Sequence, residues 1–261
     1  MSKYTHREIK HPNHFLRRGV LRMQDFAPLQ IISIVELFIA TLISLILMGY
    51  IYKKYKEKPS NSSLFFVFNF TLVGLALVCV AIDRILLTIL VDKTPGLIFH
   101  NIAILLSLGV IFLLDMFAFE MTYPKQIRKL AVLFAILIIA AGIVLLLNQP
   151  SIGAQEELIY ADQLLFIILP LLAIPILMPT LVFFYFAIKV HEESVPQSNR
   201  SLVMGIAAIV VSVGYIFEVM GITGVLVIIV RLSFVVYTLL MYIAFTMPKW
   251  FQKFIGWKEA I

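Results

Sequence analysis

The chain has 261 residues, of which 61% are hydrophobic and only 14% charged, with a mean hydropathy of +1.00 and a formal net charge of +6. Soluble domains run at about 45–50% apolar and about 25% charged residues. The imbalance excludes an ordinary soluble enzyme, a disordered chain and a disulfide scaffold; the single cysteine, Cys79, lies inside an apolar run.

The first 28 residues form a basic tail carrying Lys3, Arg7, Lys10, Arg17, Arg18 and Arg22. Phe15, Leu16, Val20, Met23 and Phe26 would fall mainly on one side of a helix, which fits a segment lying in the headgroup plane; a solvated tail is the alternative. The remainder of the chain offers no fold for nucleic-acid binding, so no nucleic-acid partner is expected. The apolar run that follows is too long for the core of a signal peptide and is read as a retained first helix.

A bilayer core of about 30 Å takes roughly 20 helical residues to cross. Seven runs of that order follow, at Leu29–Tyr52, Leu64–Val91, Leu97–Met121, Leu130–Asn148, Gln163–Ile188, Leu202–Met220 and Ile222–Met247. None shows the period-two alternation of a barrel strand. The predicted fold class is therefore all-α, a polytopic membrane helical bundle of seven transmembrane helices in one domain, 29–247, with a short tail at 248–261. The first, third and fifth loops and the C-terminal tail carry twelve Lys and Arg residues, whereas the second, fourth and sixth loops carry only Lys93. By the charge bias of short loops, the C-terminus is predicted to be cytoplasmic and the N-terminus outside, in a plasma membrane of prokaryotic type.

Ionisable side chains within a span are costly and face the bundle interior or a cavity. Glu36, Asp83, Arg84 and Arg231 all fall about 10 Å below the outer ends of their spans, taking a rise of about 1.5 Å per residue. Glu218, His100 and Asn101 lie near the outer ends of theirs. These seven residues define an outer polar layer and are the candidate ligand-binding set. The layer is either a cavity for a small ligand, lipid or ion, or a set of closed ion pairs that locks the bundle. Asp115 and Glu120 form a candidate inner station. The seven-residue recurrences Asn69–Ala76–Asp83 and Ala207–Gly214–Gly221, and the alignment of Arg231 with Thr238 and Tyr242, place small and polar residues on inward faces. Pro170, Pro175 and Pro179 should bend or locally unwind the fifth span, as a hinge or as a fixed kink, with Asp162 and Gln163 rimming a cavity at its outer end.

The seventh span holds no lysine for a retinal Schiff base, which rejects an opsin-type function. No metal-ligand, P-loop or nucleophile–base pattern occurs. Neither cofactor, metal nor catalytic residue is expected.

Asn199-Arg200-Ser201 leads into the sixth span, and Gly214-Tyr215 and Glu218 lie near its end. The short turn Gly221–Gly224, then Arg231-Leu232-Ser233 and the exit from Tyr242 to Trp250, complete a pattern with which Phe119-Glu120 and Tyr123-Pro124 are compatible. In these features the chain resembles the seven-helix sensor modules at the N-terminus of many prokaryotic histidine kinases and related archaeal membrane proteins. The resemblance covers the span count and is specific over residues 199–250. It implies coupling of an external or membrane-borne cue to a cytoplasmic output. No effector follows the seventh span, so output is expected to pass through a separate cytoplasmic partner. The expected function is a sensor or receptor-like protein that binds a small ligand, lipid or ion in the outer layer. A small transporter or channel using Asp115, and a structural subunit of a membrane complex, are the alternatives.

Overall fold

The computed structural model describes residues 28–152, 158–220 and 225–255. In hydrocarbon every backbone N–H and C=O has to be satisfied within the protein, which leaves continuous helices as the solution for long apolar runs. Seven such helices form: α1 (Pro28–Glu57), α2 (Asn61–Ile89), α3 (Thr94–Thr122), α4 (Ile127–Leu147), α5 (Asp162–Val190), α6 (Val195–Val219) and α7 (Val225–Thr246). Each is long and apolar enough to cross a bilayer, so the chain is built as a multi-pass membrane protein. The basic tail, the Gly221–Gly224 turn and residues 256–261 lie outside the described residues, as do Glu156 and Glu157.

The helices start where local chemistry allows. Ser60 caps α2, its hydroxyl accepting the Ser63 N–H at 3.2 Å. Pro95 and Pro196 stand in the first turns of α3 and α6, where the missing proline N–H costs nothing. For this reason α6 begins at Val195, seven residues before the apolar run predicted from Leu202, and takes in Gln197, Asn199 and Arg200. α1 likewise extends past Tyr52 to Glu57. Two short elements were not predicted: an antiparallel hairpin, β1 (Ser151–Ile152) with β2 (Leu158–Ile159), and a helix, α8 (Lys249–Phe254), in the segment read as a tail. α8 buries Phe251 and exposes Trp250 and Phe254, an arrangement suited to an interface between lipid and water.

The packing closes a ring. α1 lies against α2 and α7, α2 against α3, α3 against α5, α5 against α6, and α6 against α7. α4 packs on α3 and α5 from outside that ring and presents Val132, Ile136, Ile139 and Ile143 outward. The central core joins α1, α2, α3, α5, α6 and α7 around Phe66, Phe70, Phe117, Phe183, Tyr237 and Met241. Interhelical hydrogen bonds tie it: Ser44 to the Phe70 carbonyl (2.8 Å), Asn69 to the Val110 carbonyl (2.8 Å), and Ser212 to the Ile176 carbonyl (3.0 Å). Asn69, Ala76 and Asp83 are all buried, as their spacing predicts, and so are Ala207, Arg231 and Thr238.

α5 runs as one unbroken helix through its three prolines, which corrects the expectation of local unwinding. Ser212 reaches from α6 to the Ile176 carbonyl, between Pro175 and Pro179, and ties this stretch of α5 to α6. Pro170 is exposed on the outer surface, while Pro175 and Pro179 are buried.

Gly214 marks the closest approach of α6 and α7: a Cβ there would collide with the Ser233 side chain and come within 3.4 Å of the Val230 carbonyl. Gly214→Val is expected to lower the thermal unfolding temperature in detergent, costing about 1–3 kcal/mol by overpacking. At Gly49 nothing lies within 4 Å of such a Cβ, and Gly49→Ala is expected to leave the temperature unchanged or raise it, by up to about 1 kcal/mol in helix propensity.

Candidate functional site

The polar layer assembles near the end of the bundle opposite the lysine- and arginine-rich loops. α2 contributes Asp83 and Arg84, α3 His100, α6 Glu218, α7 Arg231, and α1 Ser33 and Glu36; the chain entering α5 adds Tyr160. Glu218 Oε1 lies 3.3 Å from Arg84 Nη2 and 3.5 Å from Arg231 Nη2, so one carboxylate oxygen joins α2, α6 and α7. Asp83 Oδ1 lies 3.3 Å from Arg84 Nε, and Asp83 Oδ2 lies 3.2 Å from His100 Nδ1. Arg231 also donates from Nη1 to the Ser33 hydroxyl on α1.

Burial makes these contacts count. Asp83 is 0% exposed and Arg231 is 4% exposed, so neither charge is screened by solvent as a surface pair is. The ion pairs of the layer are nonetheless long. Charge-assisted bonds settle at about 2.7–2.9 Å, against 3.3–3.5 Å at Glu218. Arg231 Nε and Glu36 Oε2 are buried with no hydrogen-bond partner. Glu36 lies within electrostatic range of Arg231. The layer holds polar groups enough for more contacts than it makes.

A chain of hydrogen bonds leads out of it. His100 Nδ1 lies 3.2 Å from Asp83 Oδ2 and Nε2 lies 2.9 Å from the Tyr160 hydroxyl; in the neutral tautomer whose Nδ1–H donates to Asp83, Nε2 accepts from Tyr160. Burial, aided by Tyr215 and Asp83 and opposed by Arg84, pushes the Tyr160 phenol above its ordinary range, which keeps the proton on the donor. Tyr160 belongs to the connection that the sequence reading passed over as a loop. Its only signal there was an aromatic residue two positions before the helix start.

The remaining candidates fall elsewhere. Asn101 is one residue past His100 and therefore turned about 100° away; it bonds Gln149 at 3.2 Å beyond α4 and does not join the layer. Glu120 sits at the far end of α3 and accepts from Asn61 at 3.4 Å. Asp115 is fully buried with neither carboxylate oxygen hydrogen-bonded, and no ion pair links it to the layer among the described residues. It and Glu120 do not form one inner station. The Asp162 and Gln163 side chains lie outside the described residues.

Between the layer and the opposite end is a cavity of about 80 Å³, lined by Pro175, Pro179, Ser212, Tyr215 and Tyr237 among others. The Pro175–Pro179 face of α5 thus borders free space inside the bundle, with largely apolar walls. No family model matches the chain, and no curated protein matches it either.

Arg231→Met is expected to destabilise the fold by about 1–3 kcal/mol, because it leaves the buried Ser33 hydroxyl without its donor and Glu218 with Arg84 alone. Adding Glu218→Leu should deepen that loss by taking the α6 partner from Arg84, read as a thermal unfolding temperature below that of the single variant. Raising the pH adds a second signature. A phenol whose folded pKa lies above its unfolded value of about 10 contributes stability below that value and loses it as pH rises. The unfolding temperature is therefore expected to fall above pH ~10, and to fall less steeply in Tyr160→Phe.

Proposed function

We propose that the chain is a seven-helix membrane sensor whose cue-responsive element is the Asp83–Arg84–His100–Glu218–Arg231 network. The observation that carries this reading is Glu218 Oε1, one oxygen shared by two guanidinium groups from α2 and α7 at 3.3 and 3.5 Å. Two cations competing for one acceptor, with Arg231 Nε left over, form an arrangement that a small polar or ionic ligand relaxes. Because the shared oxygen joins three helices, relaxing it changes their mutual restraint, and the bundle carries that change to the basic end. The ~80 Å³ cavity beside Pro175 and Pro179 gives α5 room to move in response. The resemblance to sensor modules supports a cytoplasmic output at the basic end.

A second reading rests on Asp115. An isolated intramembrane acid with two unpartnered oxygens is the kind of group that proton-coupled carriers use.

One set of measurements separates the two. Spin labels on Lys53→Cys and Lys189→Cys in a Cys79→Ser background report the distance between α1 and α5 at the basic end. Glu218→Gln is expected to shift that distance distribution in nanodiscs while the helical circular dichroism persists. Unchanged distances in folded Glu218→Gln and Asp83→Asn would leave the network as a lock and remove the sensor reading. A proton flux in liposomes that Asp115→Asn abolishes would favour the carrier instead.

A further inference from the structure

A second cavity lies at the opposite end from the polar layer. It has a volume of about 420 Å³ and opens where α1 and α3 end and α2 and α6 begin. Pockets of about 300–1,000 Å³ are the range that holds small molecules. Its walls divide by chemistry. Phe66, Phe117, Phe186, Phe245, Met121 and Met204 form an apolar floor. Lys54, Arg200, Ser62, Ser63, Ser201 and Gln197 bring the donors. No carboxylate lines it, and among the described residues neither Lys54 nor Arg200 forms an ion pair.

Both cations are held in place by means other than an acid. Arg200 Nε donates to the Ala244 carbonyl at 2.8 Å, and its guanidinium lies 5.4 Å from the Phe245 ring centroid. Lys54 Nζ lies 4.8 Å from the Tyr50 ring centroid. Cation–π contacts fix the position of a charge without neutralising it. Ser62 and Ser63 belong to the first turn of α2 and Gln197 to the first turn of α6, while α1 and α3 end at the same cavity, so the helix dipoles offset one another and the two side-chain cations set its charge. Such a site is poor for a cation and suited to a small dianion attached to an apolar or aromatic body.

We propose that this cavity binds a phosphate monoester, with the phosphate between Lys54 and Arg200 and the organic body on the phenylalanine floor. The phosphate oxygens accept from the guanidinium Nη groups, the ammonium and the serine hydroxyls. The same chemistry is presented by the headgroup of phosphatidic acid and by a soluble phosphorylated metabolite. The site does not depend on the sensor reading: it stands even where the Glu218 network is only a structural lock.

The test uses the purified full chain at constant ionic strength, with the thermal unfolding temperature as readout. Phenyl phosphate is the soluble probe. Nanodiscs of phosphatidylcholine with and without phosphatidic acid are the lipid probe. A rise with phenyl phosphate alone identifies a soluble ligand, and a rise with phosphatidic acid alone identifies a lipid headgroup. Lys54→Gln and Arg200→Gln are each expected to weaken the apparent affinity about tenfold or more, the worth of one charge-assisted contact. Arg200→Lys should retain part of the response. Lys53→Gln, an exposed neighbour that does not line the cavity, should retain all of it. Should Arg200→Gln fail to fold, the exposed Lys54 decides through Lys54→Gln. The proposal is overturned if neither probe raises the temperature, if Lys54→Gln responds as the unsubstituted chain does, or if Lys53→Gln loses as much as Lys54→Gln, which would mark a diffuse surface effect.

Discussion

A charge placed in hydrocarbon needs a partner, and in this bundle that requirement converges on Glu218. Its carboxylate faces two guanidinium groups carried by different helices, 147 residues apart in the chain by position number, Arg84 and Arg231. Neither arginine could sit at that depth on an isolated helix without several kcal/mol of desolvation. Pairing through α6 makes both tolerable and fixes which faces of α2, α6 and α7 turn inward. Asp83 completes the balance by taking Arg84 Nε and orienting His100. The small residues follow from the same geometry: helices drawn together by a shared ion pair have to approach closely, and Gly214 supplies the gap against α7 that a larger side chain would fill.

The two ends of the bundle therefore differ in kind. At one end cations and acids are matched and mostly buried. At the other, the lysine- and arginine-rich end, Lys54 and Arg200 face a ~420 Å³ cavity without an acid among its lining residues. Among the described residues the middle is apolar apart from hydroxyls, Asn69 and Asp115, with the proline-bearing face of α5 along a small void. A protein that only needed to span the membrane could fill that middle with leucine and leave out the costly charges. The cost of a buried, incompletely satisfied network is the physical basis of the proposed sensor reading.

Much of this organisation was readable from residue order. The seven apolar runs anticipated seven helices, and the recurrence of Asn69, Ala76 and Asp83 anticipated an inward face, because a helical period acts within one segment. The common depth of Asp83, Arg84 and Arg231 followed from counting residues from the span ends. Boundaries were less accurate where polar residues continue a helix beyond the lipid, as in the Val195–Ser201 start of α6. Asn101 was misplaced because adjacency in sequence means about 100° of rotation on a helix. Ser33 gave no signal and Tyr160 only a faint one, since a hydroxyl is informative only once its partner is known.

Sequence by itself determined that the chain is a bundle of seven apolar helices with charge segregated between loops, because length, hydropathy and spacing are properties of single segments. Tertiary structure alone decided which charges meet. It brought Glu218 between Arg84 and Arg231, closed the His100–Tyr160 link, left Asp115 isolated, and turned Arg200 and Lys54, taken from the sequence only as loop charges, into two walls of one cavity. Those outcomes depend on how separate helices rotate and pack against one another, and a linear pattern carries each helix's face but not the face that its neighbour presents to it.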